Sequence, residues 1–215
     1  MHTRLLIALL LVPALAACSA ATTPSSTTGG TPSATGQVKG QITGSTPTTR
    51  VKAVLQGSST VRGADTPVAN GAFTYALPTD SSVTGLATGI GQSTFGAAQC
   101  AGSTQTVSNA DARVVQLAFF DAFNGSAAAG HLEAGTPTGN TTMIYAWVYA
   151  TAAVNVSRKE SCTVSGHALQ DTLDLKLSAG WNSVVGTRTV AADGSVTSTY
   201  FTQPVGTVPF LLAGN

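Results

Sequence analysis

Residues 143–156, MIYAWVYATAAVNV, form the longest run of β-forming side chains in the chain. On an extended backbone Tyr145, Trp147 and Tyr149 fall on one side, and Ile144, Ala146, Val148 and Ala150 on the other. Side chains alternate across a strand with a period of two. Working outward, the same period returns at Leu173, Leu175 and Leu177, which alternate with Thr172, Asp174 and Lys176. Residues 183–190 and 195–202 flank Asp193-Gly194, a two-residue hairpin signal. Toward the N-terminus, residues 113–120 are mostly apolar and fit a strand buried on both faces, although period alone leaves a helix open. Phe73, Tyr75 and Leu77 share one face of a strand that Asn70-Gly71 introduces and Pro78 ends. Residues 38–42 and 51–55 also alternate. No amphipathic helix longer than two turns is evident. The expected fold is therefore all-β, an antiparallel β-sandwich or barrel over residues 37–215, with the sandwich preferred. The stretch 122–142, rich in Gly, Ala and Thr, is the expected sub-boundary between two sub-sandwiches.

Composition points the same way. Only 9% of the 215 residues are charged, against about 25% in ordinary globular chains. Low charge with abundant Thr and Val suits half-buried pleated strands. An apolar share of 43% is too high for a wholly disordered chain.

The first eighteen residues, MHTRLLIALLLVPALAAC, have a different character. Arg4 precedes an apolar run from Leu5 to Leu15, and two alanines follow before Cys18. This is the layout of a secretory signal peptide. The closing residues Leu15-Ala16-Ala17-Cys18 resemble the lipobox of bacterial lipoproteins. The resemblance implies cleavage before Cys18, with diacylation of its sulfur and acylation of the new N-terminus. The apolar run is roughly half the ~20 residues a membrane-spanning helix needs, so the expected attachment is the lipid, and two or more acyl chains anchor stably. Ser19 resembles the pattern that sends lipoproteins of two-membrane bacteria on to the outer membrane. The chain thus divides into a signal peptide at 1–17, a lipidated Cys18 with a tether to residue 36, and a β-domain from 37. Residues 19–36 carry no charge and only small or turn-forming side chains. As a random coil they would reach roughly 25 Å.

Removing 17 residues, with Arg4 among them, leaves nine basic and nine acidic side chains, a net charge of zero. The basic residues are scattered, and the adjacent pair Arg158-Lys159 is followed at once by Glu160. Nucleic-acid binding needs clustered Lys and Arg, so no nucleic-acid partner is expected. The expected partners are the membrane, through the lipid, and an envelope polymer or protein.

Cys100 and Cys162 remain once Cys18 is set aside, and disulfides persist in exported proteins. A bridge across about 62 residues would contribute about 4 kcal/mol on the chain-entropy estimate. It would also span the expected sub-boundary. No CxxC and no close Cys/His spacing points to a metal site.

The segments GQVKGQITG, RVKAVLQG and NGAFTYALP within residues 36–78 resemble carboxypeptidase-regulatory-like modules, which are transthyretin-like β-sandwiches. Gly36, Val38, Gly40, Gly71, Phe73 and Pro78 carry the likeness, which implies a sandwich there and no catalytic partners. Residues 177–182, LSAGWN, are similar to an L-x-x-GWN turn of bacterial surface lipoproteins and carry no implied activity.

The search for chemistry assigns no catalytic, cofactor or metal residue. No G-x-S-x-G window occurs; Gly91-Gln92-Ser93-Thr94-Phe95 misses the second glycine. His131 and Glu133 would share a strand face, and His167 could join them as zinc ligands. Weighed against that, Gly-His-Leu-Glu-Ala reads as a solvent-facing strand side. The nine acids are spread thinly, and no pair is favoured at the ~5–10 Å separation of glycosidase carboxylates. Tyr145, Trp147 and Tyr149 are the constellation with binding potential, weighed against a place in the core. Trp181, after a glycine in a turn, is expected to be the more exposed. The leading expectation is a non-enzymatic envelope module, and the second is an envelope hydrolase.

Overall fold

A computed structural model describes residues 36–213 apart from 45–46, 56–62, 79, 93 and 97. Cys18, the signal peptide and residues 19–35 of the tether lie outside the described residues, as does Ser93. The elements are β1 (Gln37–Thr43), β2 (Arg50–Leu55), β3 (Thr66–Pro67), β4 (Ala72–Ala76), β5 (Thr88–Gly89), β6 (Thr106–Val107) and β7 (Arg113–Asn124). They continue with β8 (Ala127–Thr138), β9 (Thr141–Ala150), β10 (Val154–Val164), β11 (His167–Leu177), β12 (Gly180–Val190), β13 (Val196–Thr202) and β14 (Thr207–Ala213). One helical turn, Asp80–Val83, runs into a 3-10 turn, Thr84–Leu86.

The fold is all-β, and the predicted strands are present. Residues 143–156 do not form one strand, however. β9 ends at Ala150, and Val154 opens β10, which pairs with β11 and β6 and not with the neighbours of β9. No Gly, Pro, Asn or Asp marks the break at Thr151-Ala152-Ala153, so the apolar pattern reads straight through it. The expectation of a purely antiparallel sheet also needs correction. β1 pairs with β14 in parallel, and so does β11 with β13. Both parallel pairs join strands that are not chain neighbours: the last strand lies beside the first, and β13 inserts between β12 and β11.

The ladder runs β4-β1-β14-β8-β7-β9-β12-β13-β11-β10-β6, with β2 and β5 also on β7. Residues 122–142 hold the end of β7, all of β8 and the start of β9. Two hydrophobic cores lie on opposite faces of β7 and β9. Val115, Leu117, Trp147 and Tyr149 point into the larger, with Phe73, Phe120 and Phe210. Val114, Val148 and Ala150 point into the smaller, with Leu173, Leu175 and Leu177. The double burial of these strands follows from their two apolar faces. A register shift opposite Val54/Leu55 turns β7 over, so that Leu117 and Phe120 face the same core.

Candidate functional site

The aromatic row is core. Trp147 and Tyr149 are 2% and 4% exposed. Trp147 stacks on Phe210 at 6.2 Å between ring centroids, and Tyr149 meets Trp181 edge-on at 5.6 Å. Trp181, expected in the open, is 7% exposed, and its indole N–H donates to the Pro78 carbonyl at 2.9 Å. Gly180, at φ +95°, turns the chain inward there. The fully buried Asn182 then satisfies the turn: its Oδ1 accepts from Ser178 N–H, and its Nδ2 donates to the carbonyls of Ser178 and Gly180. Only Tyr145 stays half-buried, at a surface depression.

That depression lies where three strands part. Ala118–Phe119 of β7, Glu133–Ala134 of β8 and Tyr145–Ala146 of β9 are not paired with one another there, although β7, β8 and β9 keep their outer partners β2, β14 and β12. The space is about 590 Å³. His131 and Glu133 line it together, as their strand alternation predicts. His131 Nδ1 is 3.2 Å from Asp121 Oδ1, and the Phe119 ring lies edge-on to the imidazole. His167 is elsewhere, at the start of β11, where its Nδ1 is 2.7 Å from the Asp193 carbonyl. The N–H and hydroxyl of Ser195, with the nearby His167, hold the Asp193 carboxyl below its ordinary range. Among the described residues no three His, Cys, Asp or Glu side chains converge as metal ligands.

A second cleft involves residues the sequence reading did not join. Along β10 the buried face carries Val154, Val156, Arg158 and Glu160, so an apolar row becomes a charged one. Glu160 is the register partner of Asp171, which follows Leu175 and Leu173 along the same face of β11. Arg158 Nε contacts Glu160 Oε1 at 2.7 Å, off the line of an N–H donor, and its Nη2 donates to Asp171 at 3.1 Å. Its Nη1 donates to the Gly96 carbonyl at 2.7 Å. Glu160 Oε2 accepts the backbone N–H groups of Gln99 and Cys100 at 2.8 and 3.0 Å. The Cys100 and Cys162 sulfurs, 2.12 Å apart, are joined. The described residues between Ile90 and Gln105 therefore act as a strap, tied to β10 by a disulfide and by buried charges. Buried ions are tolerated only when paired and hydrogen-bonded; each member of this trio is paired and makes at least one hydrogen bond, while Arg158 Nε and Glu160 Oε1 make none. The available signal was the period of two, which puts Arg158 and Glu160 on the face of Val154 and Val156.

Under the strap lie two adjoining spaces. An apolar cavity of about 120 Å³ is lined by Ile144, Ala146, Val148, Leu173, Leu175 and Val184. Beside it, a polar space of about 180 Å³ is lined by Arg158, Asp171, Arg188 and Ser198. Phe95 from the strap and Tyr200 from β13 wall both.

Comparison of the chain with protein-family models, with curated proteins and with solved structures finds no match.

Proposed function

We propose that the protein is a lipid-anchored envelope lipoprotein of an exporting bacterium, and that its β-domain, held off the membrane by residues 18–36, is a non-catalytic binding module. The observation that carries the binding reading is the strapped cleft, where a disulfide and a buried ion network hold one loop over a recessed space. Such concave, mostly apolar spaces with a few convergent polar groups are the usual form of small-ligand sites. The anchoring part rests on Leu15-Ala16-Ala17-Cys18 and on a neutral mature chain that offers no electrostatic second signal for the membrane. Radiolabelled palmitate is expected to enter the protein in its bacterial host and to be lost in Cys18→Ala. Label that survives the substitution overturns the anchor.

The His131–Asp121 contact favours a second reading, a hydrolase of envelope polymers. A carboxylate that orients an imidazole is the arrangement of a general base, here beside Glu133 in an open depression. That reading requires the purified protein to release soluble fragments from isolated cell walls and His131→Ala to stop the release.

A further inference from the structure

We propose that the strapped cleft binds a small amphipathic monoanion, a short-chain carboxylate, with its apolar tail in the cavity and its head on Arg188. This rests on the binding-module reading and names the ligand class. The cavity wall below Tyr200 is built from Ala146, Val148, Leu175 and Val184. The polar side chains among its lining residues are Gln116, whose amide N–H donates to the Thr94 carbonyl, and Tyr200, so water held there would find few hydrogen-bond partners. An apolar cavity of ~150 Å³ stays dry and takes up a hydrocarbon such as benzene, and this one is about 120 Å³. Hydrocarbon is thus the chemistry that fills it.

The mouth sets the head group. Asp171, Ser198 and Arg188 are consecutive register partners across β11, β13 and β12, so their side chains leave the same face in one row. In that row Asp171 is engaged by Arg158 at 3.1 Å. Arg158 is in turn engaged by Glu160, Asp171 and the Gly96 carbonyl. Arg188 is exposed and has no ion-pair or hydrogen-bond partner among the described residues. Arg158, Glu160 and Asp171 together carry one net negative charge, so Arg188 brings the mouth to neutrality, but its donors are unengaged, and a guanidinium fork matches a carboxylate in two hydrogen bonds.

Spacing fixes the ligand's length. Arg188 lies one two-residue step along β12 from Gly186 and two from Val184, at about 7 Å a step. An extended tail of about six carbons spans about one such step, from the level of Arg188 to that of Gly186. Gly186 lets the Tyr200 ring, which walls both spaces, pack directly against β12, because a Cβ there would come within 2.5 Å of that ring.

The test uses the full mature chain with Cys18→Ser, so that neither lipid nor detergent competes for an apolar probe. Hexanoate and hexanol are titrated separately into isotope-labelled protein and followed by NMR. Hexanoate is expected to saturate, with shifts concentrated at Phe95, Val148 and Leu175, and to bind about tenfold more tightly than hexanol, a difference of about 1.4 kcal/mol. Arg188→Gln, an exposed substitution, should remove that tenfold advantage and leave hexanol binding unchanged. Ala146→Leu should abolish both while the spectrum of the larger core stays as in the parent. The inference is overturned by absent saturation at millimolar hexanoate, by equal affinity for the alcohol, or by an Arg188→Gln variant that binds hexanoate like the parent. A blank titration removes this ligand class alone, because the lipid anchor stands or falls with the palmitate label.

Discussion

Asn182 is 0% exposed, and its side-chain amide makes three hydrogen bonds to the backbone of one turn, at 2.8 to 3.0 Å. Asn182→Ala leaves those backbone groups buried and unpaired. An unsatisfied buried group costs ~1–3 kcal/mol, and the expected loss is about 3 kcal/mol or more in a urea titration. A loss below about 1 kcal/mol would mean that water replaces the amide, as it does for exposed caps. The turn itself is legible in LSAGWN, since glycine permits the positive φ that Gly180 adopts. What a single chain does not reveal is the direction of Trp181. Its partner, the Pro78 carbonyl, is 103 residues away, and only the assembled fold brings it within reach. The same limit hid the pairing of Arg158 with Asp171, although alternation had already placed Arg158 and Glu160 on the apolar face of their strand.

At the scale of elements, two hairpins test how far turn chemistry governs register. β10 and β11 meet through Ser165-Gly166, both at positive φ, with Val164 opposite His167. β12 and β13 meet through a loop whose Gly194 sits at φ +83°. A Cβ on Gly166 would meet nothing within 4 Å, whereas one on Gly194 would lie 2.5 Å from the His167 ring. Gly166→Ala therefore carries backbone strain alone, ~1–2 kcal/mol. Gly194→Ala adds a steric clash and also displaces His167 from the Asp193 carbonyl. The second variant should melt measurably lower than the first in a thermal scan; equal melting points would show that the imidazole swings aside freely. Asp193-Gly194 was readable as a turn from its residues. Strand faces were readable too, wherever one side is uniformly buried, as at Leu173, Leu175 and Leu177. The parallel pairs were not, because β1 and β14 lie at opposite ends of the described chain, and the Phe73, Phe120 and Phe210 rings of β4, β7 and β14 meet only in the assembled fold. Nor was the parting of β7, β8 and β9, which depends on a register shift that no local residue type announces.

Across the whole molecule, the two cores share β7 and β9 as a common wall, but only the smaller depends on a covalent tie. Cys100 and Cys162 close a loop of 62 residues, and both ends lie at the strap and β10. Restricting an unfolded loop of this size stabilises by ~2–4 kcal/mol. In the native state the same bond holds the strap, with Phe95 packed against the smaller core and Gly96, Gln99 and Cys100 bound to Arg158 and Glu160. The larger core has no such dependence: its aromatic cluster of Phe73, Tyr75, Phe120, Trp147 and Phe210 lies on the other face of the shared strands. Replacing both cysteines by serine should lower global stability by about 2–4 kcal/mol and should act unevenly before unfolding. Hydrogen exchange is expected to speed up at residues 90–105 and along β10, while amides of β1, β8 and β14 keep their protection. The charges are the reason the strap should loosen and not leave. Glu160 and Asp171 still hold Arg158, and releasing the loop would strand the Glu160 carboxylate, which now accepts two strap N–H groups, in a buried place. Faster exchange of equal size in both cores would instead mean that the shared strands couple them into one cooperative unit, with the disulfide stabilising the whole sheet.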